Sequence, residues 1–429
     1  MRNLLRWSAV STVMLLVLAA CTSTGSGSPS GAASASAAAD PAAACDALAN
    51  GCVKVAAGEP LTIASALSIT GDTAFLGNDS NFGIDVAVAD RGKVLDRTVE
   101  VVKEDGGCGD AASGQTAAQA IVANPAILGV IGTTCSRTAV TAMQVLGPAH
   151  IVMISPSNTA PGLTNPQHEQ YGGPYFFRTA YNDKVQGAAV AKYACEVLKV
   201  KSAATIHDGS PYADQLQQVF ADDFKSQCSG TITSQNAMAV GDTDFHPLLT
   251  TIAAEKPAMI FMPIFDPEGP LIVNQSQDIS ALKDTIFFGA DGVKDAGFIQ
   301  AAGSVAEKIG MYFSGPDLNF GGKYVSDFLP KLLQLEGTTE PQAPYHAHAY
   351  DAFNIMMDAI VAAHVGDGSD GTSYFSRDGI KDYIAGLKDY AGLTGTLTCD
   401  GGDCGSSFVS IAQLVNGVYT EVYTTRSAS

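Results

Sequence analysis

An α/β protein with two sheets is the fold class that the sequence predicts, on three observations. From residue 61 onward, short apolar runs alternate with segments of helical periodicity, the pattern of βαβ units and parallel strands. The series halts at a Gly-, Pro- and Tyr-rich stretch, residues 166–175, and then restarts, so two such series are present. Once the N-terminal leader and the tract behind it are set aside, about 370 residues remain, enough for about two domains.

The leader sets the compartment. Arg2 and Arg6 precede an apolar core over residues 9–20, and small residues run up to Cys21, which is the layout of a secretory signal peptide. The apolar run is shorter than the roughly 20 residues that a membrane span needs. Leu18, Ala19, Ala20 and Cys21 resemble a bacterial lipobox, whose cysteine is lipidated after cleavage. The expectation is a lipid anchor at Cys21, on the extracytoplasmic face of the cell membrane. The Ser/Gly/Ala tract over residues 22–39 has no means of building a core and reads as a flexible tether. The tether is expected to reach residue 58.

The first series places a strand at 61–68, the turn TGDTAFLGND, a helix at about 80–91, a strand at 98–103 and a helix at 114–123. The stretch 127–164 follows as strand (127–131), polar turn (132–136), helix (137–146), strand (151–154) and a second polar turn. Ligands of parallel sheets sit beyond the carboxyl ends of the strands, where both turns lie. Those turns carry Thr133, Thr134, Ser136, Ser155, Ser157 and Thr159. Ser136 is also placed to cap the helix behind it, where free N–H groups attract an anion. Two adjacent hydroxyl-bearing turns therefore suggest a cradle for a carboxylate. The plainer readings are a helix cap at Ser136 and turn stabilisation before Pro161 by Ser157 and Thr159.

The second series predicts helices at 183–198, 213–227 and 246–255, a further helix ending near 279, and strands at 203–206, 231–234, 258–262 and 285–288. A linking strand at 311–314 leads back to the first sheet. Helices at 324–334, 346–364 and 378–385 come next, and strands with a turn between Cys399 and Cys404 follow from residue 395.

Nine cysteines are one more than an even set, and Cys21 accounts for the odd one. The others fall as neighbours: Cys45 and Cys52, Cys108 and Cys135, Cys195 and Cys228, Cys399 and Cys404. Spacing does not settle connectivity, but these pairings suit an oxidising compartment. The pair Cys108 and Cys135, each behind a strand at the same sheet edge, is the strongest. Zinc fits poorly, because no C-x₂-C occurs and Cys399 and Cys404 lack nearby histidines. His346 and His348, two apart, do not face each other on a helix and are read as surface or core residues rather than metal ligands. A net charge of −19, from 24 Lys and Arg against 43 Asp and Glu, argues against nucleic acid as partner.

In order along the chain, SALSITGDTAFLG, EDGGC, GVIGTTCSRTA, ISPSNTAPGLT, HDGSPYADQL and FGADGV, behind the lipobox, resemble the type I solute-binding proteins of ABC importers, in the leucine/isoleucine/valine-binding branch. The resemblance spans residues 61–423. It implies two doubly wound α/β lobes joined by a three-strand hinge, the type I periplasmic binding protein fold. Lobe 1 would comprise 59–178 and 315–394, and lobe 2 would comprise 179–314 and 395–423. It also implies an amino-acid ligand, an ABC permease as partner, no cofactor and no catalysis.

Matched position by position, Ser136 and Thr159 would hold the ligand carboxylate, and the Ser157 carbonyl would receive the ammonium. Asp291 would be the ammonium's acidic partner. Tyr212 would cover the ligand, and Phe265 and Tyr345 would form its apolar wall. A zwitterion needs such donors at one end and a carboxylate at the other. The chain departs from the branched-chain pattern at three points. Asp291 is one methylene shorter than the family's glutamate, Leu76 replaces an aromatic, and Phe265 lacks a phenolic hydroxyl. These changes leave a short amide, urea or another small carboxylate as alternative ligands. A tethered hydrolase is a rival class, but no G-x-S-x-G, H-E-x-x-H or P-loop pattern occurs. Cys135 as a nucleophile would be silenced by the expected disulfide. A sensor lobe of a signalling system is the remaining alternative; a chain ending at Ser429 without a further helix favours the importer receptor.

Overall fold

The computed structural model describes residues 40–426. The leader, Cys21 and the tract at 22–39 lie outside the described residues. Among the described residues, no helix is long and apolar enough to cross a membrane.

The first sheet contains β2 (Leu61–Leu67), β3 (Val99–Asp105), β4 (Ile127–Gly132), β5 (Met153–Ser155) and β6 (Phe176–Arg178), in the order β3-β2-β4-β5-β6. Every pairing is parallel. β2 and β4 are buried along their whole length, as strands are when helices cover both faces, and the one buried serine of β2, Ser65, donates its hydroxyl to Asn81 Oδ1 at 2.8 Å. The connecting helices are α2 (Ala74–Arg91), α3 (Ala111–Ala123) and α4 (Ser136–Leu146). The order reverses between β2 and β4. Such a switch point opens a crevice beyond the strands' carboxyl ends.

The second sheet repeats that arrangement. It contains β7 (Ser202–His207), β8 (Thr231–Ala237), β9 (Met259–Met262), β10 (Ile286–Gly289), β11 (Tyr312–Pro316), β16 (Val409–Val415) and β17 (Val418–Thr424). Their order is β17-β16-β11-β10-β9-β7-β8, with β7 to β11 parallel and β16 and β17 antiparallel at one edge. The switch point lies between β7 and β9. Helices α5 (Asp183–Glu196), α6 (Pro211–Cys228), α7 (His246–Glu255), α8 (Glu268–Ser276) and α9 (Ala296–Ile309) cover this sheet. Along β9 the strand's period of two sends Met259 and Phe261 into one core and Ile260 and Met262 into the other. The chain passes between the two sheets three times: after β6, after β11 and before β16.

The remaining elements are α1 (Pro41–Asp46), β1 (Cys52–Val55), α10 (Leu329–Glu336), α11 (His346–Ala362), β12 (His364–Asp367), β13 (Ser373–Ser376), α12 (Arg377–Ala385) and the short pair β14 (Tyr390–Ala391) and β15 (Thr396–Leu397). They correct the expected tether. Within residues 40–58, α1 is tied to β1 by the Cys45–Cys52 disulfide, and β1 pairs antiparallel with β13. A strand whose partner lies about 320 residues away leaves no local turn signal, so residues 52–55 read as part of the tether. Helix α9 is an addition to the expected elements. Its buried face is Phe298, Ala302, Gly303 and Ala306, and small residues dilute the apolar periodicity there.

All four neighbour disulfides are present. Cys135 is therefore no free nucleophile. The expected helix cap is also corrected: Cys135 holds the N-cap position of α4 and Ser136 is its first helical residue, so the Ser136 hydroxyl caps nothing. His346 and His348 are buried core residues. His346 Nδ1 meets Asp79, and its Nε2 meets the Tyr324 hydroxyl at 2.8 Å.

Helix α2 packs on α11 through Gly83. A Cβ there would collide with the His346 carbonyl oxygen, which belongs to the backbone and cannot rotate aside. Gly83→Ala is expected to destabilise the fold by about 1–3 kcal/mol, as overpacking does. An unchanged urea midpoint would show that the two helices part more easily than this contact implies.

Candidate functional site

The two switch points face one small cavity. It is lined by Leu76, Thr134, Cys135, Ser136 and Ser157 from the first sheet's side, by Tyr212, Phe265, Asp291 and Gly292 from the second, and by Tyr345. Its free volume is about 20 Å³, little more than the space one water needs. Six of the seven expected ligand residues line it. The seventh, Thr159, is fully buried behind it.

Hydroxyls stitch the two polar turns of the first sheet together. Ser155 Oγ donates to the Thr133 carbonyl at 2.9 Å, and Ser157 Oγ donates to the Thr134 carbonyl at 2.8 Å. The N–H of Ser68, at the end of the β2 strand, donates to Thr134 Oγ1 at 2.9 Å. Ser136 Oγ accepts only a long bond, 3.4 Å, from the Ala160 N–H. Thr159 Oγ1 stands near the Asp183 carboxyl without a hydrogen bond of full geometry. The two hydroxyls matched to a carboxylate are thus the loosely held ones, while their neighbours hold the frame.

Arg178 fixes that frame from behind. Its side chain is fully buried at the end of β6, and Nη1 donates to the carbonyls of Asn158 (3.0 Å) and Ala160 (2.9 Å), on either side of Thr159. Nη2 reaches Thr164 Oγ1 at 2.9 Å, and Nε reaches Asp403 Oδ1 at 2.6 Å.

Asp291 centres the opposite wall. Its Oδ1 accepts from Tyr212 Oη at 2.8 Å and Gln186 Nε2 at 2.9 Å, and its Oδ2 accepts from Tyr345 Oη at 2.9 Å. Burial raises the Asp291 pKa above the ordinary carboxylate value, while Gln186, Tyr212 and Tyr345 pull it back. Tyr212 is delivered by the start of α6, where Pro211 opens the helix and Ser210 Oγ caps it by accepting from the Ala213 N–H. Phe265 follows β9 and packs its ring 5.1 Å from that of Tyr212. Tyr345 differs from a purely apolar wall, because its hydroxyl binds Asp291.

The sequence reading missed a second carboxylate. Asp183 opens α5 fully buried; among the described residues neither of its oxygens makes a hydrogen bond of full geometry, and the Thr159 hydroxyl is the group near enough to favour its charge. Its N–H donates to the Thr159 carbonyl at 3.0 Å, which places it beside the hydroxyl turn. Burial, then the nearby Asp291 charge, hold the Asp183 carboxyl well above its usual pKa. An aspartate at a helix start is so common that only its burial distinguishes it. Gln186, one turn further on, was missed as well. It links Asp291 to Tyr181, whose hydroxyl donates to Gln186 Oε1 at 2.8 Å.

Two α/β sheets with hydroxyl turns on one side of a small cavity and the Asp291 carboxyl on the other have the layout of a protein that binds a small solute. The periplasmic binding protein family matches residues 60–409, and the chain belongs to that family. The Leu/Ile/Val-binding protein BraC3 of Rhizobium johnstonii is 28% identical over 349 residues, covering 79% of this chain and 89% of that protein. The Leu/Ile/Val-binding protein of Escherichia coli is 29% identical over 269 residues, covering 61% and 71%. The crystal structure of a leucine-binding protein, LivK, from Thermotoga maritima superposes with a TM-score of 0.74 at 23% identity, covering 85% of this chain and 98% of that one. The fold is the type I periplasmic binding protein fold, and the family works outside the cytoplasm.

Proposed function

We propose that this protein captures an aliphatic α-amino acid of the branched-chain type between its two lobes and delivers it to the permease of an ABC importer. It performs no chemistry of its own, and a lipid at Cys21 holds it to the outer face of the cell membrane. The lobes are 59–178 with 315–394, and 179–314 with 395–423. Ser136 and Thr159, with their N–H groups, receive the carboxylate. Asp291, Asp183 and the Ser157 carbonyl receive the ammonium. Tyr212, Phe265 and Leu76 enclose the side chain.

One observation carries the reading: Asp291 stands on the cavity wall with Asp183 buried near it, and among the described residues neither carboxyl has an ion-pair partner. Burial holds both carboxyls toward their neutral forms, and Arg178 is already committed to two carbonyls, Thr164 and Asp403. A ligand ammonium supplies the missing counter-charge. The names of the relatives, leucine/isoleucine/valine-binding proteins, favour the same ligand class over an amide or urea. A cavity of about 20 Å³ is too small for leucine, so entry requires the lobes to part about the three crossings.

A thermal-shift screen of the twenty amino acids tests this. A ligand at 100 times its Kd should stabilise the protein by about 2.7 kcal/mol, and leucine, isoleucine or valine should head the list. Silence across all amino acids would reject the amino-acid reading and leave the fold untouched.

The raised carboxyl pKa values give a second expectation. Burial raises the carboxyl pKa values of Asp183 and Asp291 in the empty site, and an ammonium lowers them again because the cation favours the ionised forms. Binding should therefore release protons, and affinity should fall as the pH drops through the raised pKa values. Calorimetry in buffers of different ionisation enthalpy measures this directly; proton uptake on binding would contradict it.

A further inference from the structure

A second cavity lies outside the candidate site and shares none of its lining residues. Its volume is about 360 Å³, far more than the site itself offers. Its walls come from the segment leading into α9, from residues 338–344 and from the β16–β17 hairpin. At one wall stands Lys294, 8% exposed, an unusual place for a lysine. Of its three ammonium donors, one meets Ser410 Oγ at 3.3 Å, and among the described residues no carboxylate lies within ion-pair distance, although Glu421, Asp291 and Asp317 stand near enough to favour its charge. Asp295, also on the wall, is 2% exposed and uses Oδ1 to accept from the Phe298 N–H at 2.8 Å. Its Oδ2 is buried with no partner.

The charges select the occupant's chemistry. A plain anion would be drawn by Lys294 but repelled by Asp295, Glu340 and Glu421, and a plain cation would meet the reverse. A compact molecule with a carboxylate at one end and an amine or hydroxyl at the other satisfies both. The apolar parts of Ile299, Leu318 and Val418 give its carbon skeleton a surface.

The walls are continuous with the candidate site. Lys294 is three residues from Asp291, and Pro344 precedes Tyr345, whose hydroxyl binds Asp291 at 2.9 Å. Between them the Ala296 N–H donates to the Gln342 carbonyl at 3.2 Å. An occupant touching both walls braces this bridge, and with it the Tyr345–Asp291 contact.

We infer that this cavity, between Lys294 and Asp295 and the 338–344 segment, is a second binding site for a small amphoteric molecule, an amino or hydroxy acid, whose occupancy strengthens binding at the Asp291 site. The coupling clause rests on the amino-acid reading; the existence of the site does not. By linkage, the two occupants must strengthen each other by the same factor.

β-Alanine, γ-aminobutyrate and L-lactate serve as probes, titrated calorimetrically into the purified full chain with and without saturating leucine. At least one probe should bind the leucine-saturated protein. Its affinity should fall about 30-fold or more in Lys294→Met, the effect of removing one partner of a buried charge contact. Val418→Trp, which fills the cavity from a half-exposed position, should abolish probe binding while leaving leucine binding intact. Absence of binding by all three probes, or binding that survives both variants, overturns the site. Leucine affinity that does not change with a bound probe overturns the coupling. Failure of leucine itself to bind would reject the amino-acid reading alone, since the probe titrations without leucine still decide the cavity.

Discussion

Asp291→Asn should weaken amino-acid binding by about 30-fold to several-thousand-fold, the roughly 2–5 kcal/mol that follows when one member of a buried charge pair is lost. The isosteric amide keeps the shape that Tyr212, Tyr345 and Gln186 surround, and it removes the charge that an ammonium would meet. The empty protein should be at least as stable as the wild type, because burial already disfavours the Asp291 carboxylate. Calorimetry for affinity and urea unfolding for stability separate the two effects. Undiminished affinity for leucine would remove Asp291 from the ammonium's surroundings.

Arg178→Met is the second large effect. The side chain is fully buried and makes four hydrogen bonds, two of them to the carbonyls flanking Thr159. Methionine fills much of the volume but leaves the carbonyls of Asn158 and Ala160 without donors, and such a loss costs about 3–5 kcal/mol. Asp403 keeps some access to water, with 37% of its side chain exposed, which places the cost near the lower end. The turn that presents Thr159 should also loosen, so ligand affinity should drop with stability. A variant with a normal denaturation midpoint would show that the turn is held by Ser155 and its bonds alone.

Much of the frame was readable from periodicity. The run at 127–131 is continuously apolar and that at 61–68 is mostly so, and the turns behind them are polar, so the hydroxyl-bearing turns with Ser136, Ser157 and Thr159 could be located from the sequence. The pairing of each strand with its neighbours is a non-local property, and for that reason β1, which pairs with β13, was absorbed into a tether. Helix α9 was hidden by its alanines and glycines. At the site the difficulty was burial. Asp183 and Gln186 look like an ordinary helix start, and nothing local to them announces that both side chains turn inward. Ser136 shows the converse: the cap that would explain a serine there belongs instead to the Cys135 position.

The central claim is that the cavity holds both ends of an α-amino acid. It is tested most directly by titrating the protein with leucine and with 4-methylpentanoate, which keeps the carboxylate and the branched skeleton but lacks the ammonium. The account predicts that leucine binds and that the deaminated acid binds at least about 30-fold more weakly, because Asp183 and Asp291 then have no cation to face. Equal affinity for the two would contradict it.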